Sequence, residues 1–252
     1  MTPGPKGRSR KAMTLIRVAG VPVRFRASWF LISAAIVALF GPQVQRIFPE
    51  LGALAYLVAL GYAVLLMVSV LAHELAHALA ARSFGWPTTE IELNLWGGHT
   101  EFLAHRATPA KSLAVSLAGP AANLVIAGLG FYLSGALELT GVTAMLVQVT
   151  VLVNFFVGIF NLLPGLPLDG GRIVESAVWA ATGNQDRGMR AAGWAGRVVV
   201  VLLLAGLAAV VISGAREVSL VVVVVTVMVS FFLWQGASET VRVANARLGR
   251  AR

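Results

Sequence analysis

The 252 residues are 58% hydrophobic and only 12% charged, with a mean hydropathy of +0.81; that is too little polar surface for a soluble domain, and an integral membrane protein is predicted. A formal charge of +9 does not make a nucleic-acid reader, because the cations fall between and beyond apolar segments rather than on a surface with interleaved aromatics. Cysteine is absent, which excludes disulfides, thiolate metal sites and cysteine nucleophiles and leaves His, Asp and Glu as side-chain ligands.

Residues 1–26 carry Lys6, Arg8, Arg10, Lys11, Arg17, Arg24 and Arg26. They read as a basic cytoplasmic arm that orients the chain and touches anionic lipid, not as a cleaved signal peptide, since no short apolar core with a cleavage site follows. Six apolar segments come next, measured against the roughly 20 residues that span a bilayer: residues 28–40 extended to about 47, then 51–81, 112–133, 142–163, 197–212 and 218–234. With the amino terminus in the cytoplasm, 18 of the 20 Lys and Arg lie on that side and only Arg46 and Arg216 fall in external loops, as the positive-inside rule requires. Residues 27–235 are then one membrane domain with spans two to four at its core. Residues 236–252, with Arg242, Arg247, Arg250 and Arg252, form a basic cytoplasmic tail. The predicted fold is an all-α polytopic membrane protein of about six spans, in a cell membrane, with both termini cytoplasmic.

The second span holds His73-Glu74-Leu75-Ala76-His77 within an apolar run whose one charged residue before Arg82 is Glu74. Histidines four apart stand on one helical face and can ligate one divalent ion, while Glu74 lies one position round, placed to handle a proton on water. A free glutamate at mid-bilayer costs about 2.5 kcal/mol or more, so it needs a partner or a wet cavity. A buried histidine pair packed in a bundle is the bland alternative. The candidates for a third ligand are Asp169, Glu175, His99, His105 and Glu101.

After this span, residues 88–102 alternate Ile91, Leu93 and Leu95 with Glu90, Glu92 and Asn94, the pattern of a membrane-associated strand or hairpin. Such a strand either holds an unwound substrate by β-addition or is a structural cytoplasmic hairpin. His99, after Gly97-Gly98, is a solvent-facing histidine or a gate near the metal; His105, beside Arg106, reads as interfacial. In the third span Gly119, Pro120 and Asn123 permit close packing and a bend. Asn154 in the fourth reads as an interhelical packing contact.

The fourth span ends in Asn161-Leu162-Leu163-Pro164-Gly165-Leu166-Pro167-Leu168-Asp169-Gly170-Gly171. Its prolines and glycines cannot continue a regular helix, and broken backbone at membrane depth marks a site. Asp169 is a metal ligand there, or a cap for the helix that follows. Glu175 reads as an ion-pair partner of Arg172.

HELAH in one span and NLLPGLPLDGG in a later one resemble the site-2 protease family of intramembrane zinc metalloproteases. Gly20-Val21-Pro22-Val23, the stretch 93–100 ending in Gly97-Gly98, and Ala118-Gly119-Pro120-Ala121-Ala122-Asn123 extend the resemblance over roughly residues 18–180, in a compact form without PDZ or CBS domains. It implies one zinc ion held by His73, His77 and Asp169, with Glu74 as the catalytic acid/base and Asn161 holding substrate or the developing oxyanion; an interhelical hydrogen bond is the alternative for Asn161. Two neutral imidazoles, Asp169, ionised Glu74 and a divalent zinc sum to zero charge, the cheapest state to keep from bulk water. The expected substrate is a transmembrane protein, such as a membrane-bound anti-sigma factor, cut near its cytoplasmic end. The competing class is a non-proteolytic metal-binding membrane protein, a transporter or a scaffold; a transporter would spread ionisable residues along a route through several spans.

Overall fold

In the computed structural model, the described residues are 12–18, 20–94, 97–104, 107–214 and 218–250. They form β1 (Ala12–Val18), β2 (Val21–Arg26), α1 (Ser28–Ile47), a 3-10 turn (Pro49–Leu51), α2 (Leu54–Ser83), β3 (Thr88–Asn94), β4 (Gly97–Phe102), α3 (Pro109–Ala136), α4 (Gly141–Asn161), α5 (Asp169–Thr182), α6 (Gln185–Ser213) and α7 (Leu220–Arg250). Every helix but α5 is long and apolar enough to cross a membrane. Large side chains such as Phe30, Phe131 and Ile212 stand exposed along these helices, which water would penalise and lipid does not. The protein is a multi-pass membrane protein. His105, Arg106, Leu95, Arg216, Arg252 and the four cations before residue 12 lie outside the described residues.

The chain divides into two compact units, Met1–His105 with Ala122–Phe155, and Arg106–Ala121 with Phe156–Arg252. In the first, the four strands make one sheet in the order β1-β2-β3-β4. The hairpins β1-β2 and β3-β4 are antiparallel, and β2 joins β3 in parallel through Val23↔Ile91 and Phe25↔Leu93. Strands were expected after the second span, and β3 and β4 supply them. The second hairpin was not: residues 12–26, read as a basic arm, contain Val21 and Val23 at alternate positions, and these are buried with Ile91, Leu93 and Ala78 of α2, packed by Met67, Leu71 and Leu75. Arg26 and Glu92 bond side by side across β2 and β3. A second apolar cluster, Val44, Ala55 and Tyr62 with Met145, Leu146 and Val149, ties α1, α2 and α4 together. At the end of α2, Gly85 takes φ 75°, letting its N–H reach the Arg82 carbonyl while Trp86 N–H returns to Ala81; a left-handed glycine there is the usual helix stop. Trp86 then stacks on Phe102 of β4 at 5.7 Å.

In the second unit, two helices outrun their expected bounds. The fifth span begins at Gln185 rather than 197, because Asn184 caps it by accepting from Arg187 N–H at 3.1 Å. The tail expected after residue 235 continues α7 to Arg250, with Leu233, Ala237, Val241 and Ala244 buried at helical spacing. Where α4 ends, short turn bonds replace the helical ladder: Leu163 N–H to Phe160, Leu168 to Gly165, and Gly171 to Leu168. A Cβ on Gly165 would lie 2.3 Å from Gly196 Cα of α6, and one on Gly171 would lie 2.2 Å from Leu166 N. The loop packs backbone against backbone.

Candidate metal centre

His73, Glu74 and His77 are all buried on α2, in a helix whose other buried positions are chiefly Ala, Tyr and Ser. The two Nε2 atoms converge to 3.1 Å. Two nitrogens each 2.0–2.1 Å from a tetrahedral ion are separated by roughly 3.3 Å, so the pair already has nearly the bite of a zinc-type site. Its tautomeric state is set from behind: His73 Nδ1 lies 2.6 Å from Asn123 Oδ1, an atom that only accepts, so Nδ1 carries the proton and donates, and the Nε2 lone pair remains for a ligand. Asn123 is wholly buried and donates from Nδ2 to Asn154 Oδ1 at 2.7 Å and to Ser69 Oγ at 3.1 Å. Ser69 in turn donates to Asn154 Oδ1 at 2.8 Å. The packing role expected of Asn154 is present. Asn123 does more than the close packing expected of it, since it orients a candidate ligand.

Glu74 meets the sheet. Thr100 Oγ1 of β4 donates to Glu74 Oε2 at 2.6 Å and lies 3.2 Å from the Glu74 carbonyl. Gly98 lies so close that an added Cβ would stand 2.4–2.7 Å from the Glu74 Cγ, Oε1 and carboxyl carbon. The sequence singled out neither contact. Ser69, four residues before His73 on the same face, was a legible sign that this stripe is polar; Thr100 gave no comparable signal.

His99 and Glu101 are exposed on β4, with His99 opposite Glu92, so the solvent-facing reading of His99 holds. Arg26 beside Glu92 holds the Glu92 carboxyl below its ordinary range; burial opposes this, and Asn94 and His99 assist it. In the second unit Glu175 is buried and accepts from Gln185 at 2.9 Å, not from Arg172 as expected; the α5–α6 join brings the amide to it. Asp169 opens α5 as its first helical residue, while Leu168 is the capping position and makes no side-chain cap bond. Asn161 closes α4, where its Nδ2 donates back to the Val157 carbonyl at 2.9 Å.

These features define a class: a multi-span α-helical membrane protein with a half-built divalent-ion site on one span, a carboxylate beside it, and a small sheet against that carboxylate. The chain belongs to peptidase family M50, whose model matches residues 61–140 and 135–206. It is 34% identical over 230 residues to the putative zinc metalloprotease sll0528 of Synechocystis, covering 90% of this chain and 59% of that one. It is 35% identical over 251 residues to the putative zinc metalloprotease Rip3 of Mycobacterium tuberculosis, covering 95% and 61%. The chain thus spans about three fifths of the length of these relatives. The solved site-2 protease from Methanocaldococcus jannaschii shares the fold at a TM-score of 0.61 and 22% identity, over 92% of this chain and 95% of that one.

Proposed function

We propose that the chain is an intramembrane zinc endopeptidase of the site-2 type, in which His73, His77 and Asp169 hold one zinc ion and Glu74 moves the proton. The observation that carries the reading is the α2 half-site: two converging Nε2 atoms with Glu74 adjoining them on the same helix. The M50 membership and the names of the relatives support it. Asp169 is favoured as third ligand because it follows the broken end of α4 and carries the one carboxylate of the NLLPGLPLDGG motif. When bound, the ion supplies a Lewis acid for the scissile carbonyl and acidifies water.

The protein's own groups do the rest. Glu74 accepts a proton from the attacking water and returns it to the leaving nitrogen, so the amide breaks without a covalent intermediate. Thr100 fixes which carboxylate oxygen points away from the sheet. Asn161, once released from the Val157 carbonyl, donates to the developing oxyanion, a contact worth about 3 kcal/mol. Among the described residues β4 pairs only with β3, so its outer edge can receive an extended peptide by β-addition while Gly98 and Thr100 on the same strand touch Glu74. A transmembrane helix must unwind to lie there. The substrate is therefore a membrane-tethered protein such as an anti-sigma factor, cut near the cytoplasmic face on which most Lys and Arg, and both termini, reside.

Purified protein incubated with single-span reporter substrates tests this. Glu74→Gln is expected to lower cleavage by about 10²–10⁴-fold while zinc content stays at one per chain, and Asp169→Asn to lose zinc. Equal zinc in wild type and Glu74→Gln with no cleavage by either would instead favour a metal-binding scaffold.

A further inference from the structure

Arg197 sits on α6 at the foot of a run, residues 198–212, that holds no charged residue. Its guanidinium carbon lies 4.7 Å from the ring centre of Trp194 and 5.5 Å from that of Trp234 on α7. Residues 220–234 of α7 are likewise uncharged, and Gln235, Glu239 and Arg242 follow. The apolar runs of two neighbouring helices thus end at one level, marked by two exposed tryptophans and one arginine, as at the boundary between hydrocarbon and headgroups. Each run of 15 residues is about 22 Å long.

No carboxylate pairs with Arg197 among the described residues, and its Nε is buried with no hydrogen-bond acceptor. The indole faces attract the charge but do not take the in-plane N–H donors of the fork, which match phosphate. Beside the arginine runs an apolar groove of about 330 Å³ lined by Trp194, Val198, Val201, Leu202 and Trp234, suited to an acyl chain. From a fork at headgroup level joined to an apolar groove, we infer that Arg197, Trp194 and Trp234 form a binding site for an anionic glycerophospholipid, the phosphate on the guanidinium and one chain along α6. The inference rests on the membrane setting and is independent of peptide cleavage.

The full chain in neutral detergent, titrated with brominated phosphatidylglycerol or brominated phosphatidylcholine, reports lipid contact through quenching of tryptophan fluorescence. Wild type is expected to prefer the anionic lipid by about fivefold, the effect of one interfacial cation. Arg197→Gln should abolish the preference, Arg197→Lys should keep part of it, and Arg187→Gln, an exposed cation on the same helix, should retain it in full. Equal quenching of wild type by both lipids would overturn the proposal, and this arm needs no variant to fold. So would retention of the preference in Arg197→Gln, or displacement of phosphatidylglycerol by inorganic phosphate, which would assign the fork to a free anion.

Discussion

His73 and the loop leading to Asp169 are both fixed among apolar spans, but by opposite means. Behind His73 the fixing is done by side-chain amides and a hydroxyl, Asn123, Asn154 and Ser69, each hydrogen-bonded to the next. Around Asp169 it is done by main chain: turn bonds from Leu168 and Gly171, and glycines whose missing Cβ lets backbone touch backbone. The first region should respond to a change of chemistry at constant size, the second to a change of size at constant chemistry.

The sharpest break between them is Asn123→Ala. It strips the acceptor from His73 Nδ1 and is expected to weaken zinc binding 10–100-fold, the usual cost of losing a partner behind a metal-ligating histidine; competition titration with a chelator measures it. Gly171→Ala adds one methyl against the Leu166 nitrogen and should lower stability by about 1–3 kcal/mol, read in thermal unfolding of the metal-free protein. A metal-specific loss from Gly171→Ala, or a purely global one from Asn123→Ala, would erase the contrast.

Thr100→Val asks whether Glu74 belongs with the side-chain-fixed region. It keeps the shape but removes the hydroxyl donor, and should slow reporter cleavage about tenfold with zinc content unchanged. The smallest effect is expected at the sheet surface. Glu92, whose carboxyl is lowered chiefly by its hydrogen bond from Arg26, contributes stability that is present above the ordinary carboxylate range and is lost as pH falls through its lowered folded value. Glu92→Gln should therefore flatten the acid limb of the melting-temperature profile slightly and leave neutral pH little changed, since Arg26 is exposed and solvent screens the pair.

Spans were legible because a bilayer imposes a length and a composition on each of them. The half-site was legible because His73, Glu74 and His77 are neighbours in sequence and on one helix. Even the strand Val21–Arg26 carried its alternation in plain view, but Arg24 and Arg26, which follow its valines, suggested a solvated arm. The helical extension past Gln235 was hidden in the same way: Ala237, Val241 and Ala244 recur at helical spacing beneath a basic composition. Asn123 and Thr100 were out of reach for a different reason. Their partners lie 50 and 26 positions away, and nothing local in GPAAN or GGHTEF names a histidine or a glutamate as the group to be met.

The amides behind His73 also have a polarity. Asn154 Nδ2 donates to the main-chain carbonyl of Thr150 at 2.9 Å, and a carbonyl cannot reverse roles. That one fact turns the Asn154 oxygen toward Asn123, the Asn123 oxygen toward His73, and the imidazole proton onto Nδ1. The line is a one-way conductor of orientation, earthed in the backbone of α4 and read out at a ring nitrogen on α2. A local unwinding of the α4 turn at Thr150 would free Asn154 to flip, and the His73 tautomer would lose its reference without any residue near the metal having changed.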